Sequence, residues 1–159
     1  QAVAGALPDA LVLRTAWIYG VNGKNFVKTM LRVAAAGKPL QVVDDQVGSP
    51  TWAADIAAVI MRLLDSDASG VFHYTNAGST SWYGFACAIL EEAAALGFDL
   101  ETREVKPIPT SGYPTPATRP AYSVLDTGKI TSLLSLSIPG WRDSLKNMLE
   151  ELRTSADCL

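Results

Sequence analysis

Gly20, Gly23, Lys24 and Asn25 stand in the run GVNGKN, between an apolar segment and a segment with helical periodicity. Strand, glycine loop and helix is an order that holds phosphate, because the N–H groups at a helix start point at the anion and the helix dipole favours it. Asn25, near that start, brings a side-chain donor and an acceptor to a phosphate or a sugar. Trp17 falls at the end of the preceding strand, where open α/β sheets bind ligands. A rigid ring there packs against a sugar or fills the core. Far downstream, Arg119 is held by Pro120 in a proline-rich stretch. Its planar fork of donors suits an anionic ligand, and the alternative is a solvated loop arginine. Asp44-Asp45 follows a second strand, also a place for ligands, and its role stays open.

Other chemistries find less support. A P-loop needs G-x-x-x-x-G-K-[ST], but Gly20 and Gly23 are too close together and Asn25 follows the lysine. Without that spacing, GVNGKN reads equally as a surface turn that starts a helix. No G-x-G-x-x-G dinucleotide fingerprint and no G-x-S-x-G elbow occurs. His73 is the one histidine and alternates within a strand pattern, so a structural role is expected and a zinc site is not. Cys87 lies in an apolar helix and reads as an inert core thiol. Glu91-Glu92 are helix neighbours that do not share a face and read as solvated. Short-chain dehydrogenases use a Tyr with a Lys four residues on. The residues four after Tyr19, Tyr74, Tyr83, Tyr113 and Tyr122 are Gly23, Gly78, Cys87, Ala117 and Asp126.

The elements that must position these groups follow from periodicity. Leu11 to Ile18 reads as a buried parallel strand, and a helix runs from about Asn25 to Ala36, with Gly37 past its end. Leu40 to Val43 is a strand, and DDQVGSP is a loop. Thr51 is the expected N-cap of a helix carrying Asp55 in its first turn and Ile56, Val59, Ile60, Leu63 and Leu64 on its apolar side. Val71 to Thr75 is a strand, Ser81 to Leu96 a helix closed by Gly97, and Arg103 to Ile108 an edge strand. PIPTSGYPTPATRP then places five prolines in fourteen residues, an ordered loop or a mobile flap. Asp126 to Leu134 is a short helix, and Trp141, Leu145, Met148, Leu149 and Leu152 line a last one. Alternating strands and helices predict an α/β protein.

The bulk numbers agree with one such domain. The chain has 159 residues, 48% hydrophobic and 18% charged, with net charge -3. That balance argues against a general grip on nucleic acid. No apolar run is long enough to span a bilayer. Cys87 and Cys158 are the two cysteines, not a disulfide framework, so a cytoplasmic setting is expected.

Two stretches, LVLRTAWIYGVNGKNFVKTML and VVDDQVGSPTWAADIA, resemble the C-terminal half of the dTDP-4-dehydrorhamnose reductase family, which are extended short-chain dehydrogenase/reductases. RPAYSVLDTGKI, Arg119 to Ile130, looks like a third signature, and PGWRDSLKNMLEEL like the family's final helix. The resemblance covers Leu11 to about Leu152 and implies the last parallel strands of a Rossmann-like fold with its small substrate-binding α/β region. It implies reduction of the C4 ketone of dTDP-4-dehydro-6-deoxy-L-mannose by NADPH or NADH, within dTDP-rhamnose biosynthesis. In this family the glycine-rich loop and the Tyr-x-x-x-Lys pair lie upstream of the matching strand. Residues 1–159 are therefore expected to be the nucleotide-sugar side, without the cofactor-binding half and inactive alone. Trp17, Asn25, Gln46, Pro50 and Arg119 are the substrate-binding residues the resemblance implies, although Gly48 and Pro50 equally shape a turn. Some members use Mg2+ at a dimer interface, so Mg2+ is a second expected cofactor. A homo-oligomer, or self-association through uncovered apolar surface, is expected. The alternatives are a non-catalytic relative resembling the regulatory subunit of methionine adenosyltransferase, or another nucleotide-sugar reductase or epimerase.

Overall fold

A computed structural model describes residues 2–155. Cys158 lies outside the described residues. After a short helix, α1 (Ala2–Ala6), the apolar run Leu11-Val12-Leu13 forms β1 (Leu11–Arg14). β1 pairs in parallel with β6 (Gly70–His73), in register Leu11 to Gly70 through Arg14 to His73. The strand expected to reach Ile18 stops at Arg14, because Trp17 adopts a left-handed φ of 49° that no strand accommodates. The chain resumes as β2 (Ile18–Tyr19), now beside β5 (Thr51–Trp52). The kink thus passes the chain from one parallel pair to another.

α2 (Phe26–Ala35) is capped by Asn25, with Gly37 at a φ of 66° just past its end. A residue with a Cβ resists that conformation, so glycine suits the stop. β3 (Leu40–Val43) pairs in parallel with β8 (Val105–Ile108), and β4 (Val47–Gly48) pairs antiparallel with β7 (Thr80–Ser81). β2, β4, β5 and β7 are two residues each, too short to leave a periodic signal. α3 (Ala53–Leu64) begins without a side-chain cap. Thr51, the expected cap, is in β5 instead and donates its hydroxyl to the Ser49 carbonyl. Asp55 does fall in the first turn of α3.

α4 (Trp82–Ala95) is the central element. Phe85, Ala86, Ala88, Ile89, Leu90 and Ala93 are buried around it, and it packs against α2, β3 and α6 (Trp141–Thr154). The expected stripe of α6 is confirmed, with Leu145, Met148, Leu149 and Leu152 fully buried. A second cluster joins Val59 and Leu63 of α3 to Phe72, Tyr74 and Ile130 of α5 (Gly128–Leu134). Ile60, Met61 and Leu64 stay exposed on the outer side of α3. The fold is a mixed α/β protein, as the alternating pattern predicts.

Asn76 fastens these layers. Its Oδ1 accepts from the Trp52 amide at 2.9 Å, and its Nδ2 donates to Asp55 Oδ2 at 2.6 Å. Ser144 Oγ donates to the same carboxylate oxygen at 2.6 Å. Asn76 and Ser144 are each 1% exposed, so β5, the start of α3 and the start of α6 meet at one buried polar node.

Candidate functional site

The GVNGKN loop is tied down by its own side chains. Asn25 Oδ1 accepts from the Lys28 amide at 3.1 Å and its Nδ2 donates to the Gly20 carbonyl at 2.7 Å. Lys28 Nζ donates to the Val21 carbonyl at 3.0 Å. Asn25 is therefore a helix cap first, with one amide hydrogen and one lone pair left over. A cleft of about 370 Å³ opens beside it, between Tyr19–Val21, Lys24, the start of α3 and Glu151. Its size suits a small ligand.

Trp17 is not the open platform its position predicts. Its ring stacks on Trp82 with centroids 3.6 Å apart and 8° between planes. A Cβ built on Gly48 would lie 2.4 Å from Trp17 Cε2, 2.6 Å from Nε1 and 2.7 Å from Cζ2, the pattern of an atom above the ring plane. Gly48 backbone covers one face and Trp82 the other, so only the indole edge remains. The Trp17 carbonyl accepts from the Thr51 amide at 3.1 Å, which helps to hold the left-handed turn.

The start of α4 is the hub that sequence reading missed. Trp82 meets Trp17 and also Phe26, at 4.7 Å, the first residue of α2. Ser81 caps α4 through the Gly84 amide and donates its hydroxyl to Asp44 Oδ1 at 2.5 Å. Thr80-Ser81 pairs with Val47-Gly48. The signal was present as a Ser N-cap before two aromatics in TSWYGF, but such a start is common in purely structural helices.

Gln46 and its neighbour Val47 are bonded to the loop that carries Arg119, not to Arg119 itself. Gln46 Nε2 donates to Thr110 Oγ1 at 3.0 Å, while the Val47 amide donates to Ala121, two residues past Arg119. Asp45 accepts from both the amide and the hydroxyl of Thr110, and these bonds hold its carboxyl below the usual value of 3.8. Pro50 is buried and touches solvent little. Arg119 is exposed on the loop and makes no hydrogen bond or ion pair with a described residue. Asn25 lines the cleft beside β2, and Arg119 is not among the residues that line it.

Other expectations change in the structure. Glu91 and Glu92, read as merely solvated, both hold Arg142, at 2.6 and 2.8 Å. Cys87 is half-buried rather than core. It borders a second cleft of about 480 Å³ with Leu90 and Arg103, and its hydrogen bond pushes the Tyr83 phenol up. Burial, then Asp55, pushes Tyr19 far above the ordinary phenol value and Tyr74 up to about 12. Neither phenol gives up a proton near neutral pH. Among the described residues no group of three or more His, Cys, Asp or Glu side chains could hold a metal ion, so Mg2+ gains no support. The loop between β2 and α2 also lacks the G-x-G-x-x-G spacing of a dinucleotide turn. Thr15 Oγ1, just past β1, is buried without a hydrogen bond to a described residue.

The RmlD substrate binding domain family matches residues 1–154. The chain belongs to that family. It is 40% identical over 150 residues to dTDP-4-dehydrorhamnose reductase of Escherichia coli K12, covering 91% of this chain and 50% of the relative. It is 42% identical over 152 residues to the Burkholderia thailandensis enzyme of the same name, covering 89% and 51%. The crystal structure of a dTDP-4-dehydrorhamnose reductase ortholog from Clostridium acetobutylicum superposes with a TM-score of 0.84 at 39% identity, covering 96% of this chain and 52% of that one. The Bacillus anthracis reductase in complex with NADP superposes with a TM-score of 0.80 at 34% identity, covering 89% and 48%. UDP-glucose 4-epimerase of Thermus thermophilus shares the fold, with a TM-score of 0.70 at 16% identity. The fold is thus that of the extended short-chain dehydrogenase/reductases, and this RmlD-family chain spans about half the length of the relatives it matches.

Proposed function

We propose that this chain is the nucleotide-sugar-binding part of a cytoplasmic, NADPH-dependent dTDP-4-dehydrorhamnose reductase. The observation that carries the reading is the RmlD-family match over residues 1–154, joined to relatives of about 40% identity that bear that name. The site supports it in kind. A cleft beside a capped helix start, a fixed indole edge and a free guanidinium on an exposed loop can bind and orient a sugar diphosphate.

In this reading Arg119 clamps the pyrophosphate, Asn25 offers its remaining donor and acceptor, and Trp17 presents its edge to the sugar. Gln46 and Pro50 complete the substrate-binding set in this reading. These residues bind and orient the ligand. The 159 residues carry no Tyr-x-x-x-Lys pair and no G-x-G-x-x-G fingerprint, so in this reading they bind the sugar nucleotide without turning it over alone.

Arg119→Ala tests the site. Isothermal titration with dTDP-rhamnose is expected to lose about 1.5–3 kcal/mol, the scale of a hydrogen bond to a charged group. Unchanged affinity would return Arg119 to the role of a solvated loop residue. Tighter binding of UDP-sugars than of dTDP-sugars would move the chain to another nucleotide-sugar enzyme. NADPH turnover by the isolated chain would contradict its inactivity.

A further inference from the structure

Residues 111–120 are all exposed and carry Arg119, so something must fix where that arginine stands. Both ends of this loop rest on three consecutive residues. At the first end Thr110 donates its amide to Asp45 at 2.9 Å and its hydroxyl to the same carboxylate at 2.6 Å. Gln46 Nε2 reaches the same hydroxyl at 3.0 Å. At the second end the Val47 amide donates to the Ala121 carbonyl at 2.8 Å, and the Ser123 amide donates to the Val47 carbonyl at 2.8 Å. Ser123 Oγ adds a bond to that carbonyl at 3.1 Å. The base is itself held: Val47 pairs with Ser81, and Asp44 accepts from the Ser81 hydroxyl at the start of α4.

We propose that Asp45 and Gln46 are positioning residues, which clamp the Thr110 end of the 110–123 loop while the backbone of the adjoining Val47 holds the other end, so that the three together set the place of Arg119. The proposal deepens the nucleotide-sugar reading and rests on it for the role of Arg119. It also revises Gln46, whose side-chain amide donates to the loop at Thr110 before any ligand. Prolines 114, 116 and 120 fit this arrangement, because a loop of few backbone states transmits the position of its ends to its tip.

Hydrogen exchange by NMR on the 159-residue chain tests the clamp without a ligand. Thr110→Val and Asp45→Ala are expected to speed exchange at the Val47 and Ser123 amides, at the far end, roughly threefold or more. Amides of Ile89 and Leu149 in the core should keep their rates, and Thr110→Ser should restore the wild-type rates. Unchanged exchange at Val47 and Ser123 would overturn the clamp. Titration with dTDP-rhamnose separates the two readings. Asp45→Ala should weaken binding in the wild-type background and add no further loss to Arg119→Ala. An equal loss in both backgrounds would mean that Asp45 does not act through Arg119. Wild-type chain that shows the expected exchange yet binds no dTDP-rhamnose would count against the nucleotide-sugar reading and leave the clamp standing.

Discussion

Gly48 has no side chain because the Trp17 ring occupies the place where one would go. Gly48→Ala would press a methyl to 2.4 Å from Trp17 Cε2 and against a stack already closed by Trp82. The expected cost is about 1–3 kcal/mol of stability, read by urea unfolding. An unchanged midpoint would show that the indole moves freely. Asn25→Ala removes the cap of α2 and should cost about 1 kcal/mol in the same assay, separable from any effect on ligand affinity. Tyr19 and Tyr74 make a pH prediction. Both bind their protons more tightly folded than unfolded, so their contribution is complete below the ordinary value of 10.0 and falls as pH rises above it. For Tyr74 the fall continues to about 12. Thermal melts should drop progressively above pH 10, and Tyr74→Phe should lessen the drop. A flat profile through that range would contradict the burial argument.

Among the elements, the long ones were legible and the short ones were not. α2, α4 and α6 follow from apolar spacing, and β1, β3 and β6 from apolar runs, while β8 is the expected edge strand. The four two-residue strands carry no period, and they are the pieces that assemble the site around Ser81 and Trp82. Trp17 was legible as a residue at the end of a strand but not as a sandwiched ring. Its covers come from positions 48 and 82, which no local pattern connects. Thr51 was misread for a like reason, since its neighbour Trp52 pairs with Tyr19 before α3 begins. The cap-like role at that corner belongs to Asn76, through the Trp52 amide. Asn76→Ala would leave that amide and part of the Asp55 carboxylate without partners, at about 1–3 kcal/mol. Arg142→Ala should cost less than about 1 kcal/mol, because its two ion pairs are largely solvent-exposed. Paired unfolding curves check the contrast, and equal losses would contradict it.

For the molecule as a whole, uncovered surface includes both a strand edge and a helix face. Among the described residues β1 is paired on one edge alone, and Ile60, Met61 and Leu64 stand exposed on α3. Open strand edges and apolar helix faces drive association. The chain is expected to self-associate in sedimentation runs, and Met61→Glu with Leu64→Glu should shift it toward monomer. A wild-type monomer at high concentration would contradict that. The family was legible because three motifs occur in order, whereas the loop clamp was not, since Asp45 and Thr110 lie 65 residues apart. The central claim is that this chain is the nucleotide-sugar side of a reductase. Its most direct test is an NMR titration of the chain with dTDP-rhamnose. Saturable shifts are expected at the start of α2, at residues 44–48, around Trp82 and along residues 110–123. Shifts confined to the cleft beside Cys87 and Arg103, or none at saturating ligand, would contradict it.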